Sequence, residues 1–132
     1  MYLLSAPIYL GFLFLFMGSS SSNDLTSNFS NMSIEYIRYT IPVSQHEQFL
    51  SDYAKAAEFL QVSPVCLGYD LTQGEEEPNN FILRITWTST QDHLNGFRKS
   101  NDFSKFLGHI RPYYNNIQEM KHYRPTSVVW EK

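Results

Sequence analysis

Disulfide and thiolate-metal chemistry are missing from this sequence. Of its 132 residues one is cysteine, Cys66, which excludes an intrachain disulfide and a metal centre built on several thiolates. An excess of charge of one sign is missing too. Ten Lys and Arg against thirteen Asp and Glu leave a net charge of −3, too weak a field to draw the chain to nucleic acid or an anionic membrane. There is no Gly-rich phosphate loop, and neither the serines nor Cys66 stand in a triad-like context. The length leaves room for one domain, and no internal repeat or low-complexity tract follows Met32. What is abundant is aromatic: ten Phe, nine Tyr and two Trp are material for a core or an aromatic pocket.

Charge is unevenly placed. Residues 1–31 hold one charged side chain, Asp24, and residues 32–132 hold all the others, a net −2. Ile8 to Met17 is apolar throughout, and a polar, Ser-rich stretch without periodicity follows. Three readings stay open. As a signal peptide, the segment has an apolar run of the right length and small residues after it, but no Lys or Arg in front. As an anchor, it falls short of the roughly 20 apolar residues of a span. Alternatively Met32, where patterned sequence begins, is the true start. Each reading puts 1–31 outside the fold. The single Cys favours a cytoplasmic protein if Met32 is the start, and an exported one if the segment is a signal peptide.

From Met32 the pattern alternates between strand and helix. Residues 34–41 are β-branched and aromatic and end at Pro42, a strand signature. Ser44 to Glu47 reads as a capping box, opening a helix with Phe49, Tyr53, Ala56, Ala57 and Leu60 on one face. Residues 65–72 alternate, with Val65, Leu67, Tyr69 and Leu71 on one face and Cys66, Gly68 and Asp70 on the other. Residues 81–88 alternate again after a short polar loop, so the two strands pair antiparallel. Ser89 or Thr90 caps a second helical region, which breaks near Gly96 and restarts at Ser100 or Asn101. Pro112 ends it, residues 117–124 make a fourth strand, and the tail 127–132 offers a short edge strand. The order β-α-β-β-α-β predicts a ferredoxin-like α+β fold: a four-stranded antiparallel sheet with its helices on one face.

Helices on one face leave the other uncovered. With Ile37, Tyr39, Ile41, Leu67, Leu71, Leu83 and Ile85 inward, the open face carries Tyr36, Arg38, Thr40, Cys66, Asp70, Ile82, Arg84 and Thr86. Arg and Asp on one face suit pairing with a second copy across a two-fold axis, so a homodimer is expected, with Arg38 and Arg84 meeting the partner's Asp70.

The strand EYIRYTIP (35–42), the segment SPVCLGYDL (63–71) and the run EEPNNFILRITWTSTQDHLNGFRKSNDFSKF (76–106) together resemble the antibiotic biosynthesis monooxygenase (ABM) family, over residues 32–126. The resemblance implies a ferredoxin-like domain whose dimer forms an α/β barrel. It also implies one of the family's activities, oxidation of a small phenol or quinol by O2 without a cofactor or degradation of haem, or a place among its many members with no known reaction. The chain departs from the family where Phe97 and Asp102 stand in place of frequent histidines and Leu107 in place of a haem-ligating one; a single-helix turn of 100° per residue puts His109 on another side.

Cofactor-free oxygenation needs a base to ionise the substrate, donors to hold the anion, and a dry apolar pocket. Tyr39, Tyr69 and Trp87 fall on the helix-facing side and are the expected substrate-binding residues, with Arg84 as an additional anion stabiliser; the simpler reading of the three aromatics is core packing. His93, early in the second helical region, and His122, on the last strand, are the candidate catalytic bases, since an imidazole titrates near neutrality. His109 reads as a helix C-terminal cation, His46 as surface, and Arg98 and Lys99 as solvent-facing. No spacing of His and acids reads as a metal site, so no metal and no cofactor are expected. The expected partners are a small aromatic ligand and a second copy, with no nucleic acid and no stable membrane anchor in the domain. A non-catalytic small-molecule binding or sensing module, or a haem-binding protein, are the alternatives on the same fold.

Overall fold

The structure, a computed structural model, describes residues 30–132. The expectations for the apolar N-terminal run therefore lie outside the described residues. Four strands and three helices follow: β1 (Ser33–Thr40), α1 (His46–Gln61), β2 (Cys66–Gln73), β3 (Asn80–Trp87), α2 (Thr90–Asn95), α3 (Asn101–Ile110) and β4 (Ile117–Tyr123). The strands form one antiparallel sheet in the order β2-β3-β1-β4, the ferredoxin-like arrangement. Among the described residues no helix is long and apolar enough to cross a membrane.

β1 is the central strand that aligns everything else. Its side chains alternate buried and half-buried along its whole length, the period-2 signature of one covered face. Glu35, Ile37 and Tyr39 point to the covered side with Ile85, Leu83 and Phe81 of β3 opposite them. α1 lays its stripe of Phe49, Tyr53, Ala56, Ala57 and Leu60 on that face, and α3 adds Phe106 and Ile110. Edge-to-face ring contacts join Phe49 to Tyr39, Tyr53 and Tyr113, geometry that aromatic quadrupoles favour.

Ser89 and Ser100 cap α2 and α3, accepting from the backbone N–H of Asp92 and Phe103. Gly96 marks the break between them, followed by a 3₁₀ turn over Phe97–Lys99.

The structure corrects four local expectations. The capping box at Ser44 does not form: Val43–Gln45 is a 3₁₀ turn, and Gln45 precedes α1 without a side-chain cap. His46 instead bonds the carbonyl of Ile41 at 2.8 Å. The pairing of β2 with β3 shifts register between Cys66 and Gly68, a bulge. It puts Cys66 opposite Trp87 on the covered side and leaves Leu67, expected inward, 54% exposed. Arg84 pairs with Asp70 of its own chain, its neighbour across β2 and β3, at 2.9 Å, rather than waiting for a partner's acid. The tail forms no strand, and Val128, Val129 and Trp130 are exposed.

Candidate functional site

Glu35 is a carboxylic acid 2% exposed, and burying a charge demands partners. It has them on every side. Its position follows from strand parity: two residues before Ile37, it faces the same covered side. Across the sheet its neighbours are Ile85 on β3 and His122 on β4. The indole N–H of Trp87 donates to its Oε2 at 3.0 Å. His93 Nε2 lies 3.5 Å from the same oxygen, and Arg98 Nη2 lies 3.7 Å from Oε1. Burial raises the Glu35 pKa, and the Trp87 hydrogen bond and the Arg98 charge hold the rise back.

His93 is buried as well. The Ser89 cap starts α2 so that His93, one turn on, lies flat against Trp87, with ring centroids 4.1 Å apart and planes 8° from parallel. Its Nδ1 is 2.7 Å from His122 Nε2, so the two imidazoles share one proton. Desolvation first, then the charges of Arg98 and His122, push the His93 pKa down to about 3, which makes it a neutral imidazole at physiological pH. His122 shifts downward for the same leading reason. It is half-buried and also lines a polar cleft with Ser33, Thr90 and Arg124. The row Glu35–His93–His122 thus runs from the interior to the surface.

The interior end opens on a cavity of about 250 Å³ between the sheet and the α2–α3 segment. Its walls include Glu35, Tyr39, Trp87, His93, Phe97 and Phe106. Arg98 and Met120 are at its rim, and Tyr114 and Met120, both lining and exposed, mark the mouth. Tyr39 donates to or accepts from Tyr53 in a short hydroxyl pair, and burial pushes its pKa up to about 12, so it stays a neutral phenol. The guanidinium of Arg98 sits 6.0 Å from the Phe103 ring centroid, and its buried Nε has no protein partner.

Of the residues expected at the site, the structure brings together Tyr39, Trp87, His93 and His122. Tyr69 is elsewhere: it receives a hydrogen bond from Gln61 at 2.6 Å and borders a separate shallow hollow with Leu50 and Ala57. Arg84 stands on the open face, away from the cavity. Arg98, expected in solvent, takes the role of the cation there. Glu35 carried a readable signal, its parity with Ile37 and Tyr39. Arg98 did not, because the 3₁₀ turn after Gly96 turns it in a direction that helical spacing does not give. His109 stacks on Phe59 near the end of α3, outside the site. Among the described residues, Glu35, His93 and His122 also form a group that could hold a metal ion, their ligand atoms lying within 4.8 Å of one another.

Fold and site together define a ferredoxin-like α+β domain with an acid–imidazole row at the end of an aromatic cavity. The chain belongs to the antibiotic biosynthesis monooxygenase family, whose model matches residues 32–108. It is similar to the uncharacterised protein YczJ of Bacillus subtilis (strain 168), at 20% identity over 78 residues, 59% of this chain and 82% of that protein. Among solved structures it is similar to a variant of SnoaB, a cofactor-independent oxygenase from Streptomyces nogalater, with a TM-score of 0.60 and 20% identity, covering 75% of this chain and 99% of that one. A conserved protein from Methanosarcina mazei aligns with a TM-score of 0.65 and 14% identity, over 76% of this chain and 99% of its own.

Proposed function

We propose that this protein is a cofactor-independent monooxygenase acting on a small phenol or quinol in the aromatic cavity. The observation that carries the reading is Glu35, a buried carboxylate at the cavity wall with a His–His pair leading from it to the surface. The cavity lies just below the general range for ligand pockets, roughly 300–1,000 Å³, which suits a flat ligand of one or two rings.

In this reading Glu35 takes the hydroxyl proton, helped by a pKa that burial has raised toward neutrality. An imidazolium at His93 is disfavoured, so His93 works as a relay. It accepts at Nε2 while releasing the Nδ1 proton to His122, and no charge accumulates on the ring. Arg98 stabilises the phenolate. The phenolate gives one electron to O2, and the resulting radical pair joins at a hydrogen-bearing ring carbon ortho or para to the oxygen, forming a C–O bond and a peroxide. Loss of the ring proton from that carbon and cleavage of the O–O bond yield a quinone. The departing oxygen takes up the two protons and leaves as water. Phenol and O2 give quinone and water, with the substrate as the only reductant.

Oxygen uptake with a panel of naphthols and hydroquinones tests this. We expect turnover above the uncatalysed rate and a fall of about 100-fold or more in Glu35→Gln, the usual size of a lost general base. No turnover with any of them, or equal rates in the variant, removes the oxygenase and leaves a binding module on the same fold. The open face of the sheet, polar and uncovered by any helix, supports a homodimer built on it.

A further inference from the structure

Glu35, His93 and His122 come from β1, α2 and β4, and nothing in the sequence spacing brings them together. We propose that this cluster is a site for one divalent transition-metal ion of the zinc, cobalt or nickel class, held by a carboxylate oxygen of Glu35 and one imidazole nitrogen each from His93 and His122. Two imidazoles and a carboxylate suit such ions, whereas calcium and magnesium take all-oxygen shells. The three ligand atoms already lie within 4.8 Å of one another. The two imidazole nitrogens that share a proton are 2.7 Å apart. A tetrahedral ion with bonds of about 2.0–2.1 Å needs them about 3.3 Å apart. An ion between these two nitrogens replaces the shared proton after an opening of roughly half an ångström; His122, half-buried on the edge strand β4, is the ring free to make it, and the Glu35 carboxylate, now beside His93 Nε2, turns toward the ion to complete the set.

The surroundings fit a ligand set. Trp87 fixes the Glu35 carboxylate through its N–H and stacks on His93, the kind of outer contact that orients metal ligands. The polar cleft at His122 gives an ion a route from solvent that avoids the aromatic cavity. Arg98 opposes the ion, its Nη2 being 3.7 Å from Glu35. A bound ion would occupy the base and close the relay, so it would inhibit oxygenation. The binding does not depend on the oxygenase reading; the inhibition rests on it.

Titration of the untagged full chain with cobalt(II), followed by its visible ligand-field bands and by calorimetry, tests the site. We expect one ion per chain. Affinity should fall about tenfold or more in His122→Ala and Glu35→Gln, rise several-fold in Arg98→Gln, and stay unchanged in His109→Ala. Circular dichroism identifies any variant that has unfolded, and His122→Ala, altered at a half-buried edge position, keeps the test decisive if Glu35→Gln does not fold. Failure to saturate at one ion per chain, or equal affinity in folded His122→Ala, overturns the proposal. Cobalt binding without oxygen uptake leaves the metal site standing and removes the oxygenase; oxygen uptake without saturable cobalt binding does the reverse.

Discussion

Glu35 is costly to the fold in its ionised form. Its folded pKa is raised, so folding disfavours the carboxylate, and stability falls as pH rises from the unfolded value of 4.5 through the folded one. Gln keeps an oxygen for the Trp87 N–H but carries no charge. Glu35→Gln should therefore melt higher than wild type at pH 8, by an amount that shrinks toward pH 4.5, even as oxygen uptake collapses; a lower melting temperature at pH 8 would contradict this. His93 has the opposite sign. Its folded pKa of about 3 lies below the ordinary imidazole value of 6.5, so the unfolded chain binds the extra proton and stability is lost as pH falls from about 6.5 toward 3. Above pH 4.5 Glu35 protonation offsets part of this loss; below it His93 acts without that offset. His93→Phe, which preserves a ring to stack on Trp87, should show a flatter acid limb than wild type between pH 4.5 and 3, seen in melting temperature against pH. The loss it removes across that window is about 2 kcal/mol, and superimposable limbs would show that His93 does not resist protonation. At this scale the sequence was half legible. Tyr39 and Trp87 were readable from alternation alone. The value of His93 and His122 came from a tertiary meeting with Glu35 that no local spacing encodes.

The segment from α2 to α3 decides where the cavity's cation goes. Ser89 starts one short helix and Ser100 the next, and both caps were visible as Ser before an apolar run. Between them Gly96 carries φ −95° and ψ −83°, and a Cβ there would collide with the backbone carbonyl oxygen of Asp92. Since the obstacle is backbone, Gly96→Ala must displace the 3₁₀ turn that carries Phe97 and Arg98. We expect a loss of about 1–3 kcal/mol in urea denaturation together with weaker ligand binding, read from quenching of Trp87. A variant of wild-type stability and affinity would mean that the turn tolerates the shift. The break at Gly96 was legible; the direction of Arg98 beyond it was not, because a 3₁₀ turn advances its side chains by a different angle from an α-helix. The bulge in β2 is a similar case. Simple alternation sends Leu67 inward, and the extra residue before Gly68 reverses that, with only the glycine as a hint.

The whole molecule has one covered sheet face and one open one. On the open face Tyr36 packs edge-on against Tyr123 at 5.3 Å, Arg84 is satisfied by Asp70, and Ile82 stands 38% exposed among them. Because Arg84 and Asp70 already neutralise each other within one chain, an interface here need not trade salt bridges between copies. It can rest on the apolar and aromatic groups around Ile82, with the charged pairs fitting against their symmetry mates as neutral units. A two-fold axis then places each such patch on its own copy. Light scattering at micromolar concentration should give twice the 15.4 kDa chain mass. Ile82→Glu puts a negative charge on the patch in both copies at once, opposite its own kind across the axis, and should give the monomer mass while leaving circular dichroism intact. Because Glu35, His93, His122 and the cavity all belong to a single chain, that monomer should still bind ligand and still take up cobalt. A wild-type chain of monomer mass would remove the dimer without touching the site, and a monomeric Ile82→Glu variant that has lost its ligand would show instead that the second copy helps to hold the cavity in shape.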